Sequence, residues 1–354
     1  MRTTNTGTRR TTRRAVLAAV LLAGGLGTAA CSGTAGATGG APDQVRLGYF
    51  PNVTHAVPIV ADKEGFYARH LGSTALKVTT FNAGPAAMEA LKSGAIDATY
   101  VGPGPATNAF LNSGGKAVTV VAGAATGGSA LVVAPSITSA ADLKGAKVAS
   151  PQLGNTQDIA LRYWLQQQGL TTDLQGGGEV SVTPMDNSAI LDSFAQHLIV
   201  GAWVPEPYVT RLVALGGTVL VDEHSLWPGG KFPTTVLAVR PDFLAAHPNT
   251  VKALIQGQLD AEALIASDPA TAQADVGAVI KAVSGKALDP AVIAAAWKNL
   301  EFTNDPVPSA ILEGARHARA VGILTKDPDL TGMVDLTLLN EVLKAAGKAE
   351  VASS

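Results

Sequence analysis

From residue 45 onward, short apolar runs alternate with stretches whose apolar positions recur every three to four residues. The runs at 45–50, 76–81, 96–101 and 117–122 have the length and apolar density of buried strands, and 56–68, 85–92 and 106–112 carry helical spacing. The alternation restarts at 147–149 and continues as helix 157–168, strand 180–183, helix 188–196, strand 198–202, helix 207–215 and strand 218–221. Strands alternating with helices of this length predict βαβ units, an α/β fold and mostly parallel sheets flanked by helices. After 234–239 the pattern changes. Residues 241–345 read as mainly helical, with an apolar face at Val251, Leu254, Ile255, Leu259 and Ala263.

The two alternating halves share an internal echo. Residues 84–101 align without gaps to 187–204, an offset of 103. Met88 and Leu91 fall on Leu191 and Phe194, Glu89 on Asp192, Ile96 on Ile199, and Tyr100 on Trp203. Both copies run into a Pro-x-Pro, Pro103-Gly104-Pro105 and Pro205-Glu206-Pro207. A helix, a strand and the same exit in the same order predict two related α/β lobes. In each copy a proline just beyond the strand suits the first turn of a helix, where its missing N–H costs nothing. Ligands of open α/β sheets bind beyond the carboxyl ends of the strands. Two lobes facing each other there would form a cleft lined by helix N-termini, whose free N–H groups and positive dipole ends suit an anion.

The ends of the chain carry address signals. Arg2, Arg9, Arg10, Arg13 and Arg14 precede a 16-residue apolar run at 15–30, short of the roughly 20 residues of a spanning helix. Small residues before Cys31 resemble a bacterial lipobox, so 1–31 reads as a lipoprotein signal peptide and Cys31 as the lipid-carrying residue. Cys31 is also the chain's only cysteine, which excludes an intrachain disulfide. The stretch at 12–17 resembles a twin-arginine signal, with a plain Sec signal as the alternative. Residues 32–44 read as a flexible tether. Without the five arginines of the leader, 21 basic residues face 28 acidic ones, a balance that does not point to nucleic acid. About 300 folded residues suggest two domains or lobes.

Several phrases carry a family resemblance. They are Leu47-Gly48-Tyr49-Phe50-Pro51-Asn52-Val53-Thr54-His55-Ala56, Ala61-Asp62-Lys63-Glu64-Gly65-Phe66-Tyr67, Ala90-Leu91-Lys92-Ser93-Gly94-Ala95-Ile96-Asp97-Ala98, Gly154-Asn155-Thr156-Gln157-Asp158 and Ala202-Trp203-Val204-Pro205-Glu206-Pro207. In this order they resemble the solute-binding proteins of the aliphatic sulfonate, taurine and nitrate ABC importers, over 45–345. The resemblance implies a two-lobed type II periplasmic binding protein fold that closes on ligand by a hinge. Lobe 1 would be 45–133 plus 234–345, lobe 2 would be 134–233, and 346–354 a tail. Crossovers would lie near 130–135 and 233–239. The implied protein is monomeric, lipid-anchored on the outer face of the cytoplasmic membrane, and hands a small anion (a sulfonate, taurine or nitrate) to a permease, with no cofactor.

Candidate contacts follow the strand ends. Asn52, Thr54 and His55 stand between the first strand and a helix, with Thr54 either an N-cap or a contact. Asn82 and Gly84, and Gly102 and Pro103, occupy the next two exits. Gly127, Gly128 and Ser129 combine close backbone approach with a hydroxyl and suit a hinge as well as a contact. Gly154, Asn155, Thr156 and Gln157 start a helix whose first N–H groups could hold ligand oxygens. Asp158 would join a capping arrangement and point away from the cleft; pointing inward, it would favour a zwitterion. Trp203 is either cleft wall or core, and beside it Glu206 would meet a cationic group. Trp227 reads as rim or hinge, and Trp164 and Trp297 as helix core.

The chief rivals are a pyrimidine-binding protein and a thiamine-pyrimidine biosynthetic enzyme of related fold, or a receptor lobe for a sensor. Against an enzyme, no thiol follows Cys31, and the histidines at 55, 70, 197, 224, 247 and 317 have no metal-ligand spacing. Nor is there a P-loop or a G-x-S-x-G motif.

Overall fold

The computed structural model describes residues 41–352. The leader, Cys31 and most of the tether lie outside them. In chain order, β1 (Gln44–Tyr49), α1 (Ala56–Lys63), α2 (Phe66–Leu71), β2 (Ala75–Thr80), α3 (Gly84–Lys92), β3 (Ala98–Val101), α4 (Pro103–Asn112) and β4 (Thr119–Gly127) come first. There follow β5 (Ser129–Val133), β6 (Lys147–Ser150), α5 (Thr156–Gln167), β7 (Ser181–Pro184), α6 (Asn187–Ala195), β8 (Gly201–Pro205), α7 (Tyr208–Ala214) and β9 (Thr218–Asp222). The chain continues with β10 (Pro233–Val239), α8 (Pro241–Ala246), α9 (Pro248–Ser267), α10 (Pro269–Ser284), α11 (Pro290–Trp297), β11 (Leu300–Phe302), α12 (Pro308–Ala320) and α13 (Thr337–Ala345).

The strands form two sheets, ordered β11-β4-β10-β3-β1-β2 and β7-β6-β8-β5-β9. The β1/β2, β1/β3, β6/β7 and β6/β8 pairs are parallel, as βαβ units require. Each sheet also takes one strand from the passage between lobes. β10 runs antiparallel between β3 and β4, and β5 antiparallel between β8 and β9. The sheets are therefore mixed rather than purely parallel, because a chain crossing back must enter against the local strand direction.

The echo in sequence is an echo in structure. α3 and α6 begin and end at the same offset of 103 residues, and leaving out β11 the two sheets have equivalent strand orders. The copies diverge after the second strand: α4 starts directly at Pro103, whereas α7 starts only at Tyr208.

Three expectations shift. Residues 129–133, expected in the first lobe, form β5 of the second sheet, so the first passage lies at Gly127-Gly128. Both glycines have positive φ, +78° and +68°. A Cβ would meet His224 Nε2 at 2.5 Å from Gly127 and Leu300 Cδ2 at 2.4 Å from Gly128. The helix expected over 56–68 breaks at Gly65, whose φ of +70° ends one helix and starts the next. The expected tether and tail are partly docked. Pro42 O accepts the Thr74 hydroxyl and Asp43 O the Ala75 N–H, while Asn340 and Val351 exchange two hydrogen bonds.

Apolar clusters fill both faces of each sheet. One joins β1, β3, β4 and β10 to α1, α9 and α13, another joins β10 to α3 and α4, and two more flank β5 and β8. On α9 the buried stripe holds Val251, Leu254, Ile255 and Leu259 but continues through Ala261 and Ile265, leaving Ala263 exposed. A small cluster of Ile159, Ala315, Ala318 and Leu324 packs α5 of the second lobe on α12 of the first. Tyr163 of α5 stacks on His317 of α12 at 3.6 Å between ring centroids.

Candidate functional site

Two adjoining compartments open between the sheets, at the carboxyl ends of β1, β3, β6 and β8. The first, about 330 Å³ with space open to solvent included, is lined by Phe50, Asn52, Thr54, His55, Asn82, Gly102 and Thr234 on one side and Asn155, Thr156, Gln157, Asn187 and Pro205 on the other. The second, about 380 Å³ on the same measure, shares Phe50, Asn52, Asn82 and Asn187 and adds Pro51, Phe81, Asp186, Ser188 and Tyr208.

A 3-10 turn at Val53–His55 delivers the first group of side chains. Thr54 is not an N-cap. Its hydroxyl donates to Asn52 Oδ1 and its carbonyl accepts the Thr235 hydroxyl at 3.0 Å, which fastens the turn to β10. With Oδ1 taken, Asn52 has its Nδ2 donors left to offer. His55 Nδ1 accepts the Phe50 N–H at 3.3 Å, and the ring stacks on Phe50 at 4.3 Å. Nδ1 as acceptor places the proton on Nε2. Burial holds the imidazole pKa down at about 3, so His55 is a neutral Nε2–H donor at pH 7.

The start of α5 supplies the opposite wall. Asn155 holds the N-cap position without capping; its Nδ2 reaches Gln157 Oε1 at 3.5 Å. Among the described residues no partner takes the Thr156 and Gln157 N–H groups, and Gln157 Nε2 is likewise open. Thr156 Oγ1 accepts the Gly104 N–H at 3.2 Å and keeps its own hydrogen to donate. Asp158 turns into its own lobe. It accepts Ser150 Oγ at 2.7 Å, the Gly154 N–H at 2.9 Å and Arg162 Nε at 3.0 Å, fully buried. The capping contact thus falls on Gly154, one residue before the N-cap.

No Lys, Arg, Asp or Glu lines the first compartment. Its polar wall includes neutral donors, among them His55 Nε2–H, the Thr156 hydroxyl, Asn52 Nδ2 and Gln157 Nε2, which together with an open helix start can hold a small oxyanion. Close approach of the lobes depends on glycine. A Cβ on Gly102 would lie 2.4 Å from Thr156 Oγ1, and one on Gly84 3.1 Å from Asn155 Oδ1.

Of the residues singled out in the sequence, Asn52, Thr54, His55, Asn82, Gly102, Asn155, Thr156 and Gln157 meet in this compartment. Gly84 borders it through Asn155. Pro103 lines a neighbouring apolar cavity with Trp227, Phe232 and His317, and Gly154 an outer groove with Leu153 and α3. Gly127 and Gly128 form the passage between sheets. Trp203 is fully buried core rather than cleft wall. Its Nε1 donates to Glu223 Oε2 at 2.7 Å and to Ser129 Oγ at 3.2 Å, which takes Ser129 out of the cleft as well. Glu206 is buried and spent on Thr210 N–H, Thr210 Oγ1 and Asn299 Nδ2, so it meets no ligand cation. Trp227 is half-buried in the segment between β9 and β10, and its Nε1 donates to Glu223 Oε1. Trp164 is core, and Trp297 packs on the core's edge.

Phe50, Asn187, Pro205 and Thr234 were missed. The signal for two of them lay in the echo, since Asn187 is the counterpart of Gly84 and Pro205 of Gly102. Thr234 has no sequence signal; its hydroxyl donates to Gly127 O at the passage.

The sequence pattern defining the NMT1-like family matches residues 39–280, well over half of the chain. The chain belongs to the NMT1-like family. Several named relatives are binding proteins. The taurine-binding periplasmic protein of Escherichia coli is 28% identical over 213 residues, 59% of this chain and 63% of that protein. Solved structures share the fold, two of them with named ligands. The alkanesulfonate-binding protein SsuA of Xanthomonas axonopodis pv. citri, bound to MOPS, has a TM-score of 0.68 at 20% identity, over 83% of this chain and 98% of its own. The nitrate-binding protein NrtA of Synechocystis PCC 6803 has a TM-score of 0.73 at 18% identity, over 86% and 89%. The NMT1-like chain is thus a two-lobed protein with the periplasmic binding protein fold.

Proposed function

We propose that this protein is the extracytoplasmic solute-binding component of an ABC importer, and that it captures a small oxyanion of the sulfonate class between its lobes. The observation that carries the reading is the composition of the first compartment: neutral donors from both lobes, an open α5 N-terminus, and no cation of its own. Such a wall compensates one delocalised negative charge through hydrogen bonds and the helix dipole. Contacts from both lobes give the ligand differential affinity for the closed form, which a permease can read. The N-terminal basic and apolar run and Cys31 support a lipid tether to the outer face of the cytoplasmic membrane.

Isothermal titration of the purified protein with ethanesulfonate, taurine, nitrate and a formylaminopyrimidine tests this. Saturable heat with a sulfonate is expected. Binding of the pyrimidine alone overturns the oxyanion reading and leaves the related pyrimidine carriers as the model. No binding by any of the four removes the proposed ligand class altogether.

A further inference from the structure

A second hollow lies between the lobes, behind the first compartment, where Thr156 lines both. It runs between α5 and α12 and against the segment joining β9 to β10, in two adjoining parts. The inner part measures about 410 Å³ and the outer about 1000 Å³, space open to solvent included. Aromatic rings dominate its wall: Phe232 inside, Trp227 and His317 at the junction, Tyr163 and Trp164 towards the outside. Its charge is one-sided. Glu223 borders both parts and is 1% exposed. Among the described residues its carboxylate accepts neutral N–H groups, Trp203 Nε1 at 2.7 Å and Trp227 Nε1 at 3.3 Å, and pairs with no cation. No Lys or Arg lines either part. His224, next along the chain, turns Nδ1 to Gly230 O at 2.7 Å, and burial draws the His317 pKa down against the pull of Glu313. Glu313 itself, in the outer wall, is already shared by Arg316 and His317. Burial pushes the Glu223 carboxyl up against its hydrogen bonds, and a cation beside it would restore its charge.

We infer that this hollow is a second ligand site, and that it takes a small alkylated ammonium cation, seated on the rings around Trp227 with its charge towards Glu223. The hydrogen-bonding capacity at the junction decides between kinds of cation. Ala160, Glu223, Trp227 and His317 border both parts there, and Glu223 is the only one of them with a side-chain oxygen. A primary ammonium brings three N–H donors, and Glu223 already holds two indoles. An alkylated ammonium has few or no N–H groups to satisfy, spreads its charge over its alkyl groups, and is attracted by aromatic faces as well as by the carboxylate. The first compartment of the cleft is opposite in character, with no carboxylate and a set of neutral donors. The second site therefore stands apart from the oxyanion reading and does not depend on it.

The test is titration calorimetry with choline and with its uncharged carbon isostere, 3,3-dimethylbutan-1-ol, on the wild type, Glu223→Gln and Trp227→Leu. Choline should bind the wild type saturably and roughly tenfold or more tightly than the isostere, the scale of a desolvated cation–aromatic contact. Glu223→Gln keeps the shape and an acceptor for the indoles, and should erase the preference. Trp227→Leu should weaken choline severalfold and the isostere less. The wild-type comparison stands even where a variant fails to fold. An isostere that binds as tightly as choline overturns recognition of the charge. A preference that survives both substitutions places choline elsewhere and overturns the site. Absence of choline binding to the wild type removes the inference and leaves the oxyanion reading intact.

Discussion

Replacing Gly102 by alanine should weaken ligand binding while leaving each lobe folded. Gly102 has φ −68° and ψ 149°, backbone that alanine adopts freely, so no conformational cost falls on the fold. The added methyl would sit 2.4 Å from Thr156 Oγ1 and 3.6 Å from Thr234 O. The first contact crosses from one lobe to the other and cannot exist as drawn. Thr156 can rotate away only by giving up the Gly104 N–H, or the lobes must stay apart by a few tenths of an ångström or more. Overpacking of this kind costs about 1–3 kcal/mol, which reads as roughly 5- to 150-fold in Kd. Because the penalty belongs to the closed form, thermal unfolding of the unliganded protein should barely change. Titration calorimetry measures the affinity, and small-angle scattering with saturating ligand measures whether the lobes still close. Wild-type affinity with full closure would refute the claim that this glycine sets the approach of the lobes.

Tyr163→Ala should weaken affinity about two- to tenfold without touching ligand, because the Tyr163–His317 stack joins the lobes and an aromatic pair contributes about 0.5–1.5 kcal/mol; unchanged or tighter binding by calorimetry sinks this. Burial pushes the Glu262 carboxyl up to about 8, against hydrogen bonds from Gln258 and Asn304. From the ordinary carboxylate range up to pH 8 the folded protein holds a proton that the unfolded chain has released, so stability falls as pH rises through that window. Thermal melts from pH 5 to 8 should fall less steeply in Glu262→Gln than in the wild type; parallel slopes would exclude the assignment.

Much of the fold was legible because it rests on local periodicity. β1 to β4 and β6 to β9 appear within a few residues of their apolar runs, and α3 and α6 keep the offset of the echo. What escaped was non-local. Nothing in Ser129–Val133 distinguishes a last strand of the first lobe from a first strand of the second, since an apolar run records that it is buried and not which sheet buries it. Gly65 is a similar case: one positive-φ residue divides a continuous helical pattern, and periodicity carries straight through it.

The site divides along the same line, and the division says where function can be read. Helix starts and strand ends fix a residue's place along the chain, which is why Asn52, His55, Asn155 and Thr156 were found. Whether a polar side chain is free for a ligand depends on neighbours far away in sequence. Glu206 sits at the right strand end, but Asn299, 93 residues on, takes one of its oxygens. Trp203 likewise sits at a strand end, and Glu223 and Ser129 hold its indole in the core. Asn187 reverses the case, lining the cleft with an amide oxygen that has no partner among the described residues. A candidate ligand group is therefore recognised by the hydrogen bonds that its own protein fails to give it, and on that measure Asn187 ranks above the carboxylate of Glu206.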